Sequence, residues 1–314
     1  MKKIVITGGF GFIGTNMVRY FLNKGLDIIV LEHPYAKVPV GFEDIPAIRV
    51  DITNESSLKD VHINEVDAVL HLAGQSSGEK SFYEPKLDIT LNILGTLHII
   101  NWCIDNNIKR LLFASTFTVY GDHPECDLYT EDMACYPKSV YATSKLTVEN
   151  ILKVYAQPKE INWNVLRMFN VYGPGQDITR TDQGVVGIFM HMLMTSDNIQ
   201  VKGRLDRFRD LIYINDVIQG WDKVLFSDKV NCTFNLGTGI KTNYSELIFT
   251  LAEVMGKSES YRIEELPGTP GDMLGSVADI SRINKCVGYS PEYSLKDGLG
   301  QMWKWICECG EMTR

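Results

Sequence analysis

The stretch from Ile4 to Asn23 limits the possible folds more than any other part of the chain. Ile4, Val5, Ile6 and Thr7 read as a short buried strand. The strand runs straight into Gly8-Gly9-Phe10-Gly11-Phe12-Ile13-Gly14, and Asn16 to Asn23 continues as a helix with Met17, Val18, Tyr20 and Phe21 apolar. Gly8, Gly11 and Gly14 fall at the strand-to-helix turn. A Cβ there would block the turn, the close approach of a pyrophosphate, or the packing of helix on strand. The helix N-terminus adds free N–H groups and a partial positive charge that suit a phosphate. A glycine triplet alone is a weak sign, whereas one that opens a β–α–β unit is strong.

The chain repeats this alternation. Asp27 to Leu31 is a second strand ending at Glu32, and Ala47 to Val50 is a third, followed by Asp51 and Ile52. Asp67 to Leu72 is a fourth, followed by Ala73 and Gly74, and Arg110 to Ala114 leads into Ser115 and Thr116. A helix runs from about Tyr83 to Asn106, with Leu91, Leu94, Leu97, Ile100 and Ile104 near helical period and Asn92 within it. Trp163 to Phe169 reads as a sixth strand ending in Asn170. The expected fold class is α/β, a doubly wound parallel sheet of Rossmann type with a smaller α+β C-terminal lobe. Such sheets bind ligands at the carboxyl ends of their strands, where Gly8, Glu32, Asp51, Ala73 and Thr116 all fall. The expected division is an NAD-binding domain over 1–166, joined by part of 210–236, and a substrate lobe over 167–209 and 237–314. An acidic strand end can accept hydrogen bonds from ribose hydroxyls and would repel a 2′-phosphate, so Glu32 predicts NAD rather than NADP. Arg49 is the nearest cation that could offset it.

Beyond the sixth strand the pattern loosens. Val171 to Gln176 reads as a loop, and Phe208 to Tyr213 as strand-like. Asn215 and Asp216 would cap a helix through Phe226, and Cys232 to Leu236 reads as a strand. Pro267 to Asp272 reads as a loop, and a last helix holds Leu295, Leu299, Met302, Trp303 and Ile306.

Tyr141 and Lys145 are spaced i, i+4, which puts both on one helical face. A tyrosine of pKa about 10 is a poor base at neutral pH, and a nearby ammonium would lower that value. A Tyr brought near the working pH makes a useful general acid/base. A net charge of -8 and a pI near 5.3 argue against nucleic acid or an anionic membrane as partner. Seven scattered cysteines suggest reduced thiols in a cytoplasmic protein, and Cys307 with Cys309 lacks the further ligands a metal site needs. No run of about 18 apolar residues suggests a transmembrane helix.

Taken together, these residues resemble the extended short-chain dehydrogenase/reductase family, in its nucleotide-sugar epimerase and dehydratase branch. The resemblance rests on Thr7 to Gly14, Asp51-Ile52, His71 to Gly74, Asn92 to Gly95, and Ser115-Thr116 with Val119-Tyr120-Gly121. It rests equally on Tyr141 with Lys145, Arg167 to Pro174, Arg209-Asp210 and Pro270-Gly271-Asp272. The resemblance implies an NAD-dependent nucleotide-sugar 4-epimerase in polysaccharide biosynthesis, or else a C4 dehydrogenase or reductase with net redox change. It implies that Gly8, Gly11, Phe12, Ile13 and Gly14 face the NAD pyrophosphate region and that Glu32 binds ribose. Asp51 and Ile52 would flank adenine, with Leu72, Ala73, Gly74 and Asn92 also lining the cofactor. Tyr141 would exchange the proton of a sugar hydroxyl, Lys145 would bind the nicotinamide ribose and depress the Tyr141 pKa, and Thr116 would bond the reacting oxygen. Asn170, Arg209 and Asp272 would bind the nucleoside diphosphate sugar, unless Arg209 instead pairs with Asp206 or Asp210. A homodimer through a four-helix bundle is also implied, from helices near 84–106 and 139–156 that carry Leu87, Trp102, Val148, Ile151 and Leu152.

Two departures narrow the reading. Dehydratases of the family place Asp and Glu after the Thr at position 116, to expel water across C5–C6. Phe117 and Thr118 stand there instead, which speaks against that reaction. UDP-sugar epimerases commonly carry Arg three residues before the Asp of the Pro-Gly-Asp turn, where this chain has Thr269. The missing clamp could come from Arg180, Arg204 or Arg207, and the base is left open among UDP, dTDP, GDP and CDP. Ser276 falls where relatives bound the sugar pocket, so a small residue there would admit a bulkier sugar.

Overall fold

The computed structural model describes residues 1–180, 182, 184–257, 261–268 and 274–312, the last four by backbone alone. The chain divides into two compact units. The first comprises Met1–Val119, Pro137–Arg167 and Trp221–Phe234, and the second Tyr120–Tyr136, Met168–Gly220 and Asn235–Arg314.

The first unit is built on a seven-stranded sheet. Its strands are β1 Lys3–Thr7, β2 Asp27–Glu32, β3 Ala47–Arg49, β4 Ala68–His71, β5 Arg110–Thr116, β6 Asn162–Met168 and β7 Cys232–Leu236, in spatial order β7-β6-β5-β4-β1-β2-β3. The pairings β3–β2, β2–β1, β1–β4 and β4–β5 are parallel. Strand order reverses between β1 and β4, which opens the crevice where such sheets take their ligands. The strands are apolar on both faces because helices cover both. Val5, Val69, Leu111, Phe113 and Val165 from the sheet share one core with Ile99, Ile100, Trp102, Cys103, Val148 and Leu152 from the helices.

Three helices carry or support the crevice residues: α1 Phe12–Asn23, α2 Pro85–Asp105 and α3 Val140–Ile151. The single helix expected over 83–106 is broken at its start. Gly78–Tyr83 is a separate short helix, and Pro85 opens α2 at a first-turn position where its missing N–H costs nothing. A π-helical turn over Thr90–Leu94 lies inside α2. By length and composition alone α2 could cross a membrane, yet it carries a fully buried Asp88 and contributes Ile99, Ile100, Trp102 and Cys103 to the core. Trp102, Val148 and Leu152, read from sequence as part of a dimer face, are therefore core residues of this unit. Periodicity locates an apolar stripe without saying what it covers.

The second unit holds paired short strands and the helices Val185–Thr195, Tyr244–Val254, Ser281–Val287 and Leu295–Met312. Asn170–Tyr172 runs parallel to Leu211–Tyr213, so Val171 and Tyr172 are strand rather than loop. Phe208–Arg209 pairs antiparallel with Thr242–Asn243. Asp216 does not cap the helix Ile214–Leu225, because it lies inside the first turn. Its carboxylate accepts from the N–H groups of Glu292 and Tyr293, at 2.8 and 3.2 Å.

Candidate active site

The glycine turn divides its three tasks among three residues. Gly8 has φ +68°, and a Cβ there would lie 3.0 Å from the Ala73 backbone. It is glycine for the turn and for the close passage of the β4 loop. A Cβ on Gly14 would overlap the backbone of Gly8 and Gly9, so α1 can seat on the turn only with hydrogen there. Gly11 differs: its φ is -76°, and a Cβ would meet only the Gly8 carbonyl at 3.4 Å. The fold itself does not require glycine at 11. It caps α1 without a side-chain bond to the first-turn N–H groups, leaving a cradle that a Cβ would fill and that fits a pyrophosphate. Gly11→Ala is therefore expected to melt within about 1 kcal/mol of the parent while losing affinity for the dinucleotide. Thermal shift with and without NAD measures both, and unchanged NAD stabilisation would remove Gly11 from the cradle.

The other strand ends line the same crevice. The Glu32 carboxylate accepts from the N–H of Phe10 and from that of His33, each at 3.0 Å, tying the β2 end to the glycine turn. Arg49 donates through Nη1 to the carbonyls of His33 and Ala36. Asp51 accepts from the Thr53 N–H and hydroxyl at 2.9 and 2.7 Å; burial opposes its ionisation, and the Thr53 bonds outweigh that and lower its pKa. Ile52 is buried, and a Cβ on Gly95 would press on it at 2.9 Å, which explains that glycine. Thr7 bridges β1 to β4, its hydroxyl accepting from the N–H groups of Leu72 and Ala73 at 3.2 and 3.1 Å. The same hydroxyl lies 2.7 Å from His71 Nδ1, while His71 Nε2 lies 2.9 Å from Thr96, which itself donates to the Asn92 carbonyl. With that donor committed, Nε2 carries the proton and Nδ1 accepts from Thr7. His71 is neutral, pushed down to about 3 by burial and then by Lys145. Asn92 sits in the π-helical turn, with its buried Oδ1 directed at Gly74 and without a hydrogen-bond partner among the described residues. A buried acceptor with nothing to accept is a second feature that fits a bound dinucleotide.

Thr116, Tyr141 and Lys145 come together in the first unit. Thr116 ends β5, and its hydroxyl accepts from the Thr118 N–H at 3.2 Å and lies 3.0 Å from the Thr118 hydroxyl. Ser139 caps α3, accepting from the Ala142 N–H at 3.1 Å, which places Tyr141 in the first turn. The Thr116 hydroxyl acts on the Tyr141 phenol, favouring its ionised form. The expectation that Lys145 depresses the Tyr141 pKa does not hold. Burial pushes the phenol up to about 12, while Thr116 pulls it down and Asp88 pushes it further up. The Lys145 Nζ donates to the Ala114 carbonyl at 2.9 Å, 4.7 Å from the Phe113 ring centre and 5.9 Å from that of Tyr141. Lys145 is itself brought down to about 8 by burial, against the upward pull of Asp88 and Glu149. The i, i+4 spacing does put both residues on one face, but desolvation, which spacing does not report, decides the ionisation.

Sequence reasoning missed two carboxylates behind this pair. Asp88 accepts from Gln75 Nε2 at 2.8 Å, Asn92 Nδ2 at 3.1 Å and Ser144 Oγ at 2.7 Å. Glu149, one turn after Lys145, forms a buried bidentate pair with Arg167 at 2.6–3.2 Å and accepts from Ser115 at 2.5 Å. Neither stands out in sequence, because a carboxylate on a helix reads as a solvated face; only the apolar run around Asp88 hints otherwise.

The remaining candidates belong to the second unit. Asn170 donates its N–H and its Nδ2 to the Asp210 carbonyl, both at 3.1 Å. Arg209 donates to the Phe208 and Leu274 carbonyls and lies 5.4 Å from the Tyr244 ring centre, beside Arg207 at 5.0 Å. The carboxylate partners weighed for Arg209 are engaged elsewhere. Asp206 pairs with Arg204, and Asp210 accepts from Thr238, Gly239 and Ala278. Arg180 pairs with Asp182 at 2.7 Å. Ser276 is fully buried. Asp272 and Thr269 lie outside the described residues.

Comparison with known proteins agrees in family and fold. The model of the NAD dependent epimerase/dehydratase family matches residues 4–237. The UDP-glucose 4-epimerase of Mycolicibacterium smegmatis is 26% identical over 317 residues, covering 95% of this chain and 96% of that protein. The structure of the Thermotoga maritima UDP-glucose 4-epimerase with UDP-glucose superposes with a TM-score of 0.91 at 28% identity, covering 98% of this chain and 99% of the other. That of the Thermus thermophilus UDP-glucose 4-epimerase with NAD gives 0.87 at 31% identity, covering 97% and 99%.

Proposed function

This chain belongs to the NAD-dependent epimerase/dehydratase family, and from that membership we propose that it is an NAD-dependent nucleotide-sugar 4-epimerase. The observation that carries the reading is Tyr141 in the first turn of α3, within influence of the Thr116 hydroxyl and with Lys145 one helical turn on, in the unit that holds the glycine cradle. The Thermus and Thermotoga relatives bind NAD and UDP-glucose in the same fold, which makes UDP the first nucleotide to test.

A bound NAD would supply the hydride acceptor for sugar C4 and the hydride donor for its re-reduction. Gly8, Gly11, Phe12, Ile13 and Gly14 would hold its pyrophosphate region, Glu32 its ribose, Asp51 and Ile52 its adenine, and Leu72, Ala73, Gly74 and Asn92 its remaining edge. Tyr141 accepts the O4 proton as the C4 ketone forms and gives it back on reduction. The Thr116 hydroxyl positions O4. Lys145 would bind the nicotinamide ribose, and because the phenol is pushed up to about 12, Tyr141 takes the proton in the minor fraction of molecules in which it is ionised. Phe117 and Thr118 provide no carboxylate for loss of water, so the keto sugar is reduced rather than dehydrated. Asn170, Arg209 and Asp272 would take the nucleoside diphosphate, for which the planar Arg fork suits phosphate oxygens.

The test is incubation of the purified protein with UDP-, dTDP-, GDP- and CDP-sugars, with no cofactor added. A C4 epimer reaching the same ratio from either side supports the proposal. Bound reduced nicotinamide with stoichiometric keto sugar would replace it with net oxidation. Seven scattered cysteines support expecting the protein in the cytoplasmic fraction, and the proposed epimerase would serve polysaccharide biosynthesis. A homodimer through a four-helix bundle is part of the same reading. Leu87, Ile89, Leu94 and Val154 remain exposed along α2 and just after α3, as a partner's helices would require. Sedimentation velocity should find twice the 35.5 kDa chain mass, and a monomer alone would remove the bundle.

A further inference from the structure

We propose that Asp88 is a positioning residue for the proton-transfer pair: its buried carboxylate keeps Lys145 charged and holds Ser144, which lies between Tyr141 and Lys145, in register. The proposal rests on the roles of Tyr141 and Lys145 in the proposed epimerase.

Asp88 is fully buried near the start of α2. Its Oδ1 accepts from Ser144 of α3, and its Oδ2 accepts from Gln75 and from Asn92. Asn92 stands one turn further along α2, where the helix widens into its π turn, and also donates to the Gln75 carbonyl at 3.1 Å. Three donors converge on one carboxylate, and among the described residues no Lys or Arg nitrogen lies within 4.0 Å of it. Three neutral donors offset only part of what it costs to bury a charge. The nearby Lys145 supplies a compensating charge.

Lys145 is 4% exposed, so its ammonium carries the same cost. The groups around it come from three elements: Asp88 from α2, neutral His71 from β4, and Tyr141 and Glu149 from its own helix. Arg167 of β6 neutralises Glu149 through the bidentate pair, which leaves Asp88 as the carboxylate without a cation of its own. Removing its charge takes away part of the pull that holds Lys145 at about 8, so the ammonium would be lost at lower pH. The same negative charge opposes ionisation of Tyr141, so both groups move down together. A merely structural role would lower turnover without moving either titration.

The test is NMR titration of the protein as purified, labelled with 13C at lysine Cε, the Lys145 signal being assigned with Lys145→Met. In Asp88→Asn the midpoint is expected to fall by about one unit or more, and in Ser144→Ala, which keeps the charge, to stay in place. An unchanged midpoint in folded Asp88→Asn overturns the proposal. If that variant does not fold, Asp88→Ser, which leaves room for water, is read the same way. The titration needs no substrate, so it reports on Asp88 even if no nucleotide sugar turns over. Where one does, the pH–rate bell of Asp88→Asn should slide to lower pH on both limbs.

Discussion

Tyr141→Phe should lower turnover by about 10²–10⁴-fold, with NAD still bound. The variant removes one oxygen and leaves the ring in place beside Thr116. The hydride could still move, but no group would then take the O4 proton as the ketone forms. Water is a poor substitute in a site whose burial, together with Asp88 and against Thr116, holds the phenol near 12. Stopped-flow measurement of C4 epimerisation gives the turnover, and absorbance of the protein-bound nicotinamide confirms occupancy. Near-normal turnover would take Tyr141 out of the mechanism. A matching loss of bound NAD would assign it to binding instead. Because the chain raises the phenol above its ordinary value, the wild-type rate should still be climbing with pH above neutrality, until loss of the Lys145 proton near 8 turns it over.

Glu149→Ala should cost roughly 3–5 kcal/mol of folding stability. Arg167 is 4% exposed and Glu149 fully buried, and their two-point contact leaves neither charge in water. Truncating the carboxylate strands a guanidinium in the core under β5 and takes from Ser115 its acceptor. A loss of that size is about two to four orders of magnitude in the folding equilibrium. The double variant Glu149→Ala with Arg167→Met should recover much of the loss, because replacing a whole buried pair by apolar side chains is often close to neutral. Urea unfolding of the two singles and the double completes the cycle. A single variant within about 1 kcal/mol of wild type would show that water reaches Arg167.

The legible part of the fold was the part encoded between neighbours in sequence. The turn from β1 to α1, the acidic end of β2 and the order of strands and helices follow from short windows, because steric demands at a turn and hydrophobic periods along an element are local. Several second-unit elements, such as Asn198–Lys202 paired parallel to Arg262–Leu266, were not legible for the opposite reason. Strands this short gain their stability from a partner some sixty residues away and carry little pattern of their own. The candidate site divides the same way. Gly8, Glu32, Thr116, Tyr141 and Lys145 stand out in sequence by motif. Asp88 and Glu149 do not, because a carboxylate inside a helix looks like a solvated face until its surroundings are known.

Sequence alone therefore determined the α/β class, the glycine turn at its first strand and the three side chains, Thr116, Tyr141 and Lys145, on which the proposed chemistry rests. Only the tertiary structure decided which way the ionisation of the Tyr141–Lys145 pair shifts. Ser144 reaches Asp88 across 56 positions of chain, and Lys145 meets the Ala114 carbonyl across 31. The spacing of Tyr141 and Lys145 says they share a face, and from that a lowered phenol pKa follows in water. Inside the protein both groups lose hydration, and desolvation acts on each more strongly than either acts on the other. Burial depends on the packing of the whole unit, so no window of sequence around Tyr141 contains it.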